Sequence, residues 1–188
     1  IRLTEAVRDG IIEAGGAPAR FFCTDICDGI AQGTPGMRYS LASREVMAMA
    51  SEMHAMAAHF DGAVFLSSCD KAVPGHLLAC ARLGLPCIML PGGVMDAGPT
   101  GETLPHKGMS LEQVGTIHAQ LKRGQIARDE YEFLREHACP MSGSCAFMGT
   151  ACTMQVMAEV LGLALPGSAL RPSHLVDLER GARQAGQQ

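Results

Sequence analysis

Along "LTEAVRDGIIEAGG" the apolar residues at 3, 7, 11 and 12 share one helical face, and Gly15 with Gly16 closes the stretch. Residues 3–16 therefore predict a helix with a glycine end. "PARFFCTDI" (18–26) is short, aromatic and β-leaning and predicts a strand. It runs into "CDGIAQGTPGM" (27–37), whose glycines and proline predict a loop. "SLASREVMAMASEMHAMAAHF" (40–60) predicts a long Ala- and Met-filled helix with Ser40 or Ser43 as its cap. "DGAVFLSS" (61–68) is continuously apolar, as buried parallel strands are. "PGHLLACARLG" (74–84) predicts a helix closed by Gly84, and "LPCIMLPGG" (85–93) a further strand. This β-loop-α alternation predicts an α/β fold, a parallel sheet flanked by helices.

The second half is helical. "MDAGPTGETLPHKGM" (95–109) predicts a loop. Residues 110–138 predict two helices broken near Gly124, with a capping box from Ser110 to Gln113. "CPMSGSCAFMG" (139–149) is a loop, "TACTMQVMAEVLGLAL" (150–165) an apolar helix, and residues 166–188 a turn and a final helix. No internal repeat or low-complexity tract interrupts the pattern. The opening reads as a helix already under way and the last helix stops in mid-phrase, so a piece of a longer protein is expected, with residues 1–188 as a single α/β domain truncated at both ends.

Of the 188 residues, 47% are hydrophobic and only 18% charged, which fits a packed core and argues against disorder. The net charge is −4 with Lys and Arg scattered, so neither nucleic acid nor a membrane surface is an expected partner. No apolar run reaches the ~18 residues of a membrane span. Eight cysteines stand at 23, 27, 69, 80, 87, 139, 145 and 152, with no C-x-x-C pair among them. No stretch reads as a secretory leader, and the expected compartment is the reducing cytoplasm. Metal ligation or buried free thiols are then better readings than disulfides.

In open α/β sheets ligands bind beyond the carboxyl ends of the strands. Three polar loops are candidates for that position: "CDG" at 27, "CDK" at 69 and "GSC" at 143. Asp28 and Asp70 each precede a turn, where aspartate is ordinarily a turn-former; together they could also offer carboxylate oxygens to a hard cation such as Mg²⁺. Lys71 follows an apolar strand, where a lysine is either salt-bridged, exposed, or tuned or modified for chemistry. Cys80, Cys87 and Cys152 sit in apolar patterns and read as small buried hydrophobes. Cys69 and Cys145 lie in polar loops, where a thiolate ligand to an iron–sulfur cluster is more plausible. Cys23, Cys27 and Cys139 stay undecided. His54 and His59 form no metal motif, and the twelve methionines read as core filler. "PGGVMDAGPTG" lacks the G-K-[ST] of a Walker A loop.

"CDGIAQGTPGMRYSLASRE", "FDGAVFLSSCDKAVPG", "LGLPCIMLPGG" and "GSCAFMGTACTMQVMAEVLGLALPGS", in that order, resemble the dihydroxy-acid dehydratase / 6-phosphogluconate dehydratase family, from about residue 10 to about residue 180. The combination of DG-x-x-x-G-x-x-GM, CDK-x-x-PG and GSC-x-x-x-x-TA is specific, although each motif alone is weak. The resemblance implies a hydro-lyase that dehydrates a 2,3-dihydroxy carboxylic acid to a 2-keto-3-deoxy acid. It implies an iron–sulfur cluster, [2Fe–2S] or [4Fe–4S], and Mg²⁺. By motif, Cys69 and Cys145 would be cluster thiolates. Asp28, Asp70 and Lys71 would form the magnesium side, with Lys71 carbamylated in several family members. Many members have a third cluster cysteine upstream of the residues matched here. They also have a C-terminal β-barrel-like domain, with a further magnesium carboxylate and a serine base. Neither is in this sequence, so the 188 residues alone are expected to form an incomplete and inactive site. The motifs lean toward a sugar-acid or 6-phosphogluconate substrate. The alternative is the dihydroxy-acid dehydratase of branched-chain amino-acid biosynthesis, and the alternative of another class is a non-catalytic α/β relic or assembly module. A homo-oligomer, dimer or tetramer, is expected from the same likeness.

Overall fold

A computed structural model of the chain describes residues 1–101 and 108–188. The loop expected over 95–109 therefore lies in part, at 102–107, outside the described residues. In chain order the elements are α1 (Arg2–Glu13), α2 (Asp28–Ala31), a 3-10 turn (Pro35–Tyr39), α3 (Ser40–Ala57), β1 (Ala63–Ser67), α4 (Ala72–Leu83) and β2 (Cys87–Pro91). A second 3-10 turn (Leu111–Gln113), α5 (Val114–Lys122), α6 (Arg128–Glu136), α7 (Thr150–Val160) and α8 (Val176–Gln187) complete them.

β1 and β2 pair in parallel, with Ala63 opposite Cys87 and Ser67 opposite Pro91. The crossover between them is α4, which ends on Gly84 in the left-handed region (φ 63°), where a residue without Cβ is free of strain. Alternation along the strands divides the core into two layers. Phe65 and Met89 pack with Val73, Ala79 and Leu83 of α4, Ala55 of α3 and Ala158 of α7. Val64, Leu66, Ile88 and Leu90 point the other way, onto Ala182 and Ala185 of α8 and Leu3 and Val7 of α1. The sheet is thus covered by helices on both faces, as expected. α1 and α8 approach closely because Gly10 and Gly186 lie at their contact; a side chain at Gly10 would run into the Arg183 carbonyl, and one at Gly186 into the Val7 carbonyl. A satellite core of Met109, Ile117, Ile126, Tyr131 and Leu134 holds α5 against α6. On the outer side of α3, Val46, Met49, Met53 and Met56 form an exposed apolar row.

Three local expectations change. Residues 18–26 form no strand. The aromatic pair that suggested one divides: Phe22 is exposed, and Phe21 stacks on His54 of α3 with ring centroids 4.9 Å apart and lies 6.5 Å from the Phe60 ring. The glycine-rich loop at 27–37 contains a helical turn (α2) and most of a 3-10 turn, the latter begun by Thr34, whose Oγ1 accepts from the Gly36 N–H at 3.2 Å. Neither Ser40 nor Ser43 caps α3: Tyr39 is its N-cap, and the Ser40 hydroxyl is used elsewhere. The capping box at Ser110 does form, its N–H donating to Gln113 Oε1 at 3.0 Å.

Candidate functional site

β1 and β2 run side by side, so the chain leaves both strands at the same edge. After β1 come Ser68, Cys69, Asp70 and Lys71, the last being the N-cap residue of α4. After β2 come Gly92 and Gly93. Gly93 has φ 90°, and the next residue, Val94, takes the segment 143–145 alongside: the Ser144 N–H donates to the Gly93 carbonyl at 2.9 Å, and the Met95 N–H to the Ser144 carbonyl at 2.9 Å. Gly143 has φ 120° and a Cβ there would lie 2.7 Å from the Met95 nitrogen, so only glycine allows this approach. Cys152 of α7 braces the same loop, its Sγ 3.3 Å from Ser144 Oγ.

The first loop, at 27, is tied in by charge. Lys71 Nζ donates to Asp28 Oδ2 at 2.7 Å and lies 3.9 Å from Asp70 Oδ2. Ser40 Oγ donates to Asp28 Oδ1 at 2.6 Å. Lys71 is only 8% exposed, so its charge is held inside by these carboxylates. Burial alone would raise the Asp28 carboxyl; the hydrogen bonds from Lys71 and Ser40, with the lysine charge, outweigh it and hold the group below its ordinary value.

The three loops converge on one cavity of about 340 Å³. It is lined by Cys27 from the first loop, Cys69 and Asp70 from the second, and Cys145 from the third, joined by Cys139. Three of these thiols, Cys69, Cys145 and Cys139, are shifted toward the protonated form. Burial, then the neighbouring Asp25, push Cys69 up to about 12. Burial, then Cys139, push Cys145 up to about 11. Burial and Cys27 raise Cys139.

Five contributors to this site escaped the sequence reading. Ser40 fixes Asp28. Cys27 and Cys139, left undecided, face the cavity with Cys69 and Cys145. Asp25 places Oδ2 in the interior with no partner, and burial raises its carboxyl. His76 of α4 stacks on Phe65 at 4.8 Å with Nδ1 buried and unpartnered, and burial lowers it to about 4. Ser40, Asp25, His76 and Cys139 belong to no spacing motif, so no local signal marked them, and Cys27 was marked only as part of the CDG loop. Cys23 also borders the cavity, but its Sγ lies 3.5 Å from Ser51 Oγ on α3. Cys80 and Cys152 are buried and Cys87 half-buried, in keeping with their apolar surroundings.

The donor set fits the groups that the resemblance implies. Among the described residues no three Cys, His, Asp or Glu side chains form a site for a single metal ion. Thiols spread around a cavity instead suit a cluster, whose iron atoms are bound separately. On the other side the Lys71 ammonium stands where two carboxylates attract a cation, and hard oxygen donors are what Mg²⁺ takes.

Over residues 1–188 the sequence matches the family described as Dihydroxy-acid/6-phosphogluconate dehydratase N-terminal. The chain belongs to this family. Among its dehydratase relatives, one named dihydroxy-acid dehydratase from Caldanaerobacter subterraneus subsp. tengcongensis is 45% identical over 185 residues, which is 98% of this chain and 33% of the relative. Proteins of the same name from Halothermothrix orenii and Dehalococcoides mccartyi are 43% and 44% identical, with 100% of this chain covered in each case and 33% and 34% of the relatives. This dehydratase-family chain spans about one third of the length of the curated relatives it matches. Among its described residues no helix is long and apolar enough to cross a membrane.

Proposed function

We propose that residues 1–188 are the N-terminal α/β domain of a cytoplasmic, homo-oligomeric hydro-lyase that converts a 2,3-dihydroxy carboxylic acid to a 2-keto-3-deoxy acid. The observation that carries this reading is the convergence of Cys69, Cys145, Asp28, Asp70 and Lys71 on one edge of the parallel sheet. The relatives' shared name moves the preferred substrate from a sugar acid to the dihydroxy acid of branched-chain amino-acid biosynthesis. The intact donor set argues against a non-catalytic relic.

In this reading Cys69 and Cys145 hold an iron–sulfur cluster, and Asp28, Asp70 and Lys71 hold Mg²⁺. Bound there, the cluster would supply a Lewis-acidic iron for the departing C3 hydroxyl, and Mg²⁺ would neutralise the substrate carboxylate and C2 oxygen. The protein's own part is to keep these donors apart and oriented. Ser40 holds one Asp28 oxygen, so the carboxylate presents the other toward Lys71. Lys71 as an ammonium balances the carboxylates in the absence of metal. Carbamylation would form a bond from Nζ to the CO₂ carbon and release two protons, one from the ammonium as it becomes a nucleophilic amine and one from nitrogen as the carbamate forms, turning the cation into an anion. Three anionic groups at this spacing favour a dication, so CO₂ and Mg²⁺ would each strengthen the other's binding.

The test is an anaerobic reconstitution of the full-length protein with iron, sulfide and Mg²⁺, assayed on a branched dihydroxy acid and on a sugar acid. Turnover of the first with cluster bound is expected. Turnover of the sugar acid alone would restore the other substrate class. A protein that binds no cluster and dehydrates neither would leave the relic as the better account.

A further inference from the structure

α3 carries an apolar row on the face turned away from the core. Met47, Ala48, Ser51 and Ala55 are buried against the rest of the domain. On the opposite face Tyr39, Val46, Met49, Met53 and Met56 are between 54% and 64% exposed, and Ala42 among them is exposed as well. A helix face turned to solvent ordinarily carries polar side chains. Tyr39 is the N-cap residue and has helical dihedrals, so it continues the row. Positions 39, 42, 46, 49, 53 and 56 follow one another at alternating steps of three and four, the spacing of a seam by which one helix packs on another. We propose that a second copy of this chain docks on the row, α3 antiparallel to α3 across a two-fold axis between Val46 and Met49. The inference rests on the homo-oligomer of the reading above and is independent of its chemistry.

The row is complementary to itself about that axis. It sets Val46 opposite the partner's Met49, Ala42 opposite the partner's Met53 and Tyr39 opposite the partner's Met56, and two-fold symmetry makes each pair twice. In the inner pairs a small side chain faces a large one, so the layers interdigitate. The outer pair puts a thioether against an aromatic ring. Parallel packing in register would instead set Met against Met and Ala against Ala, with excess bulk at one level and a gap at the next. Both flanks suit the antiparallel arrangement. Ser43 and Ala50 meet across the axis on one side and are small enough for close approach. Glu45 and Glu52 meet on the other, where their charge is already balanced within each copy. Arg44 lies 2.8 Å from Glu45, and Arg82 lies 3.3 Å from Glu45 and 4.0 Å from Glu52. Equal numbers of glutamates and arginines therefore come together, without net repulsion. The five large side chains of the row expose roughly 600 Å², most of the ~800 Å² that each partner of a stable interface covers.

The experiment uses the full-length protein. Light scattering gives the mass of wild type, of Ala42→Glu, of Met53→Lys and of the double variant, and circular dichroism checks that each is folded. Ala42 and Met53 stand about three turns apart on one helix, so they meet only across the axis. Each single variant is expected to halve the mass, and the double variant to restore it, because glutamate then faces lysine on both sides of the axis. Cross-linking of the unmutated protein provides a second measurement that does not depend on a variant folding. A dihydrazide that bridges carboxyl groups is added, and linked dimers are isolated on a denaturing gel and digested with trypsin. The peptide 45–71, which holds Glu45 and Glu52, should be found joined to a second copy of itself. Wild-type mass in every variant, with no such peptide pair, would overturn the proposal and leave the homo-oligomer with another interface. Dissociation of the single variants without rescue in the double variant would overturn the antiparallel pairing. A monomeric wild type would overturn both the proposal and the homo-oligomer, with the remainder of the chain as the cover of the row, and would leave the dehydratase chemistry standing.

Discussion

The two halves of the site handle charge in opposite ways. On one side Asp28, Asp70 and Lys71 neutralise one another, and Asp28 ionises more readily than a free carboxylate. On the other side burial, then neighbouring carboxylates and thiols, outweigh a backbone hydrogen bond at each thiol and push Cys69 up to about 12 and Cys145 up to about 11. The first side can fold and persist with its own internal cation. The second has no such cation beside it among the described residues. The difference teaches why a lysine stands next to the aspartate rather than next to the cysteines: buried carboxylates are ionised at neutral pH and need a counter-charge during folding, whereas buried thiols simply stay protonated.

The largest effect on this contrast should come from Cys69→Ser. In the full-length protein it should abolish iron loading and with it dehydration, whereas Mg²⁺ binding to the carboxylate side should survive; unchanged iron content would refute the role. Next is Lys71. Enzyme prepared free of CO₂ and bicarbonate should lose most of its activity and regain it on adding bicarbonate with Mg²⁺. Indifference to bicarbonate would remove carbamylation from the account.

His76 gives a smaller, purely physical effect. It is buried behind the cavity with its value lowered from 6.5 to about 4. The unfolded chain takes up a proton below pH 6.5 and the folded chain does not until about pH 4. Stability is therefore lost as pH falls through that window, by about 3 kcal/mol in all. Urea titrations at pH 7 and pH 4.5 should show the loss, and His76→Phe should remove most of the difference between them. The smallest effect is that of Asp28→Asn on stability. Without its carboxylate, Lys71 keeps only the more distant Asp70, and the cost at pH 7 should be about 1–3 kcal/mol. Because Asp28 is held low, its contribution is present above the ordinary carboxylate range and disappears only as pH falls through the lowered value, below the window of His76. The variant should stay folded and still lose Mg²⁺-dependent activity. An equally stable variant at both ends of the pH scale would mean that the Asp28–Lys71 pair contributes nothing to folding.

Much of the sheet and its helices was legible along the chain because burial repeats at fixed intervals. The runs at 61–68 and 85–93 became β1 and β2, and the stretch between them became their crossover helix. Residues 18–26 misled because aromatic, β-leaning composition reports burial without naming the partner, and the partner turned out to be α3 rather than a strand. The three motif loops were legible as polar breaks carrying Cys, Asp and Lys. Ser40, Asp25 and His76 were not, since a hydroxyl that holds a carboxylate across twelve positions, or an imidazole stacked on a strand residue, leaves no mark in spacing.

The sequence by itself determined the fold class, the family and the residue types offered to a cofactor, because each rests on local order: apolar periodicity, glycine placement and short motifs. Only the tertiary structure decided which cysteines face one another. That choice depends on a parallel crossover that brings two strand ends to the same edge, on glycines that let residues 143–145 lie against Val94, and on one ion pair that draws Asp28 to Lys71. Contacts between residues so far apart in the chain are fixed by packing and charge, and no stretch read in isolation contains them.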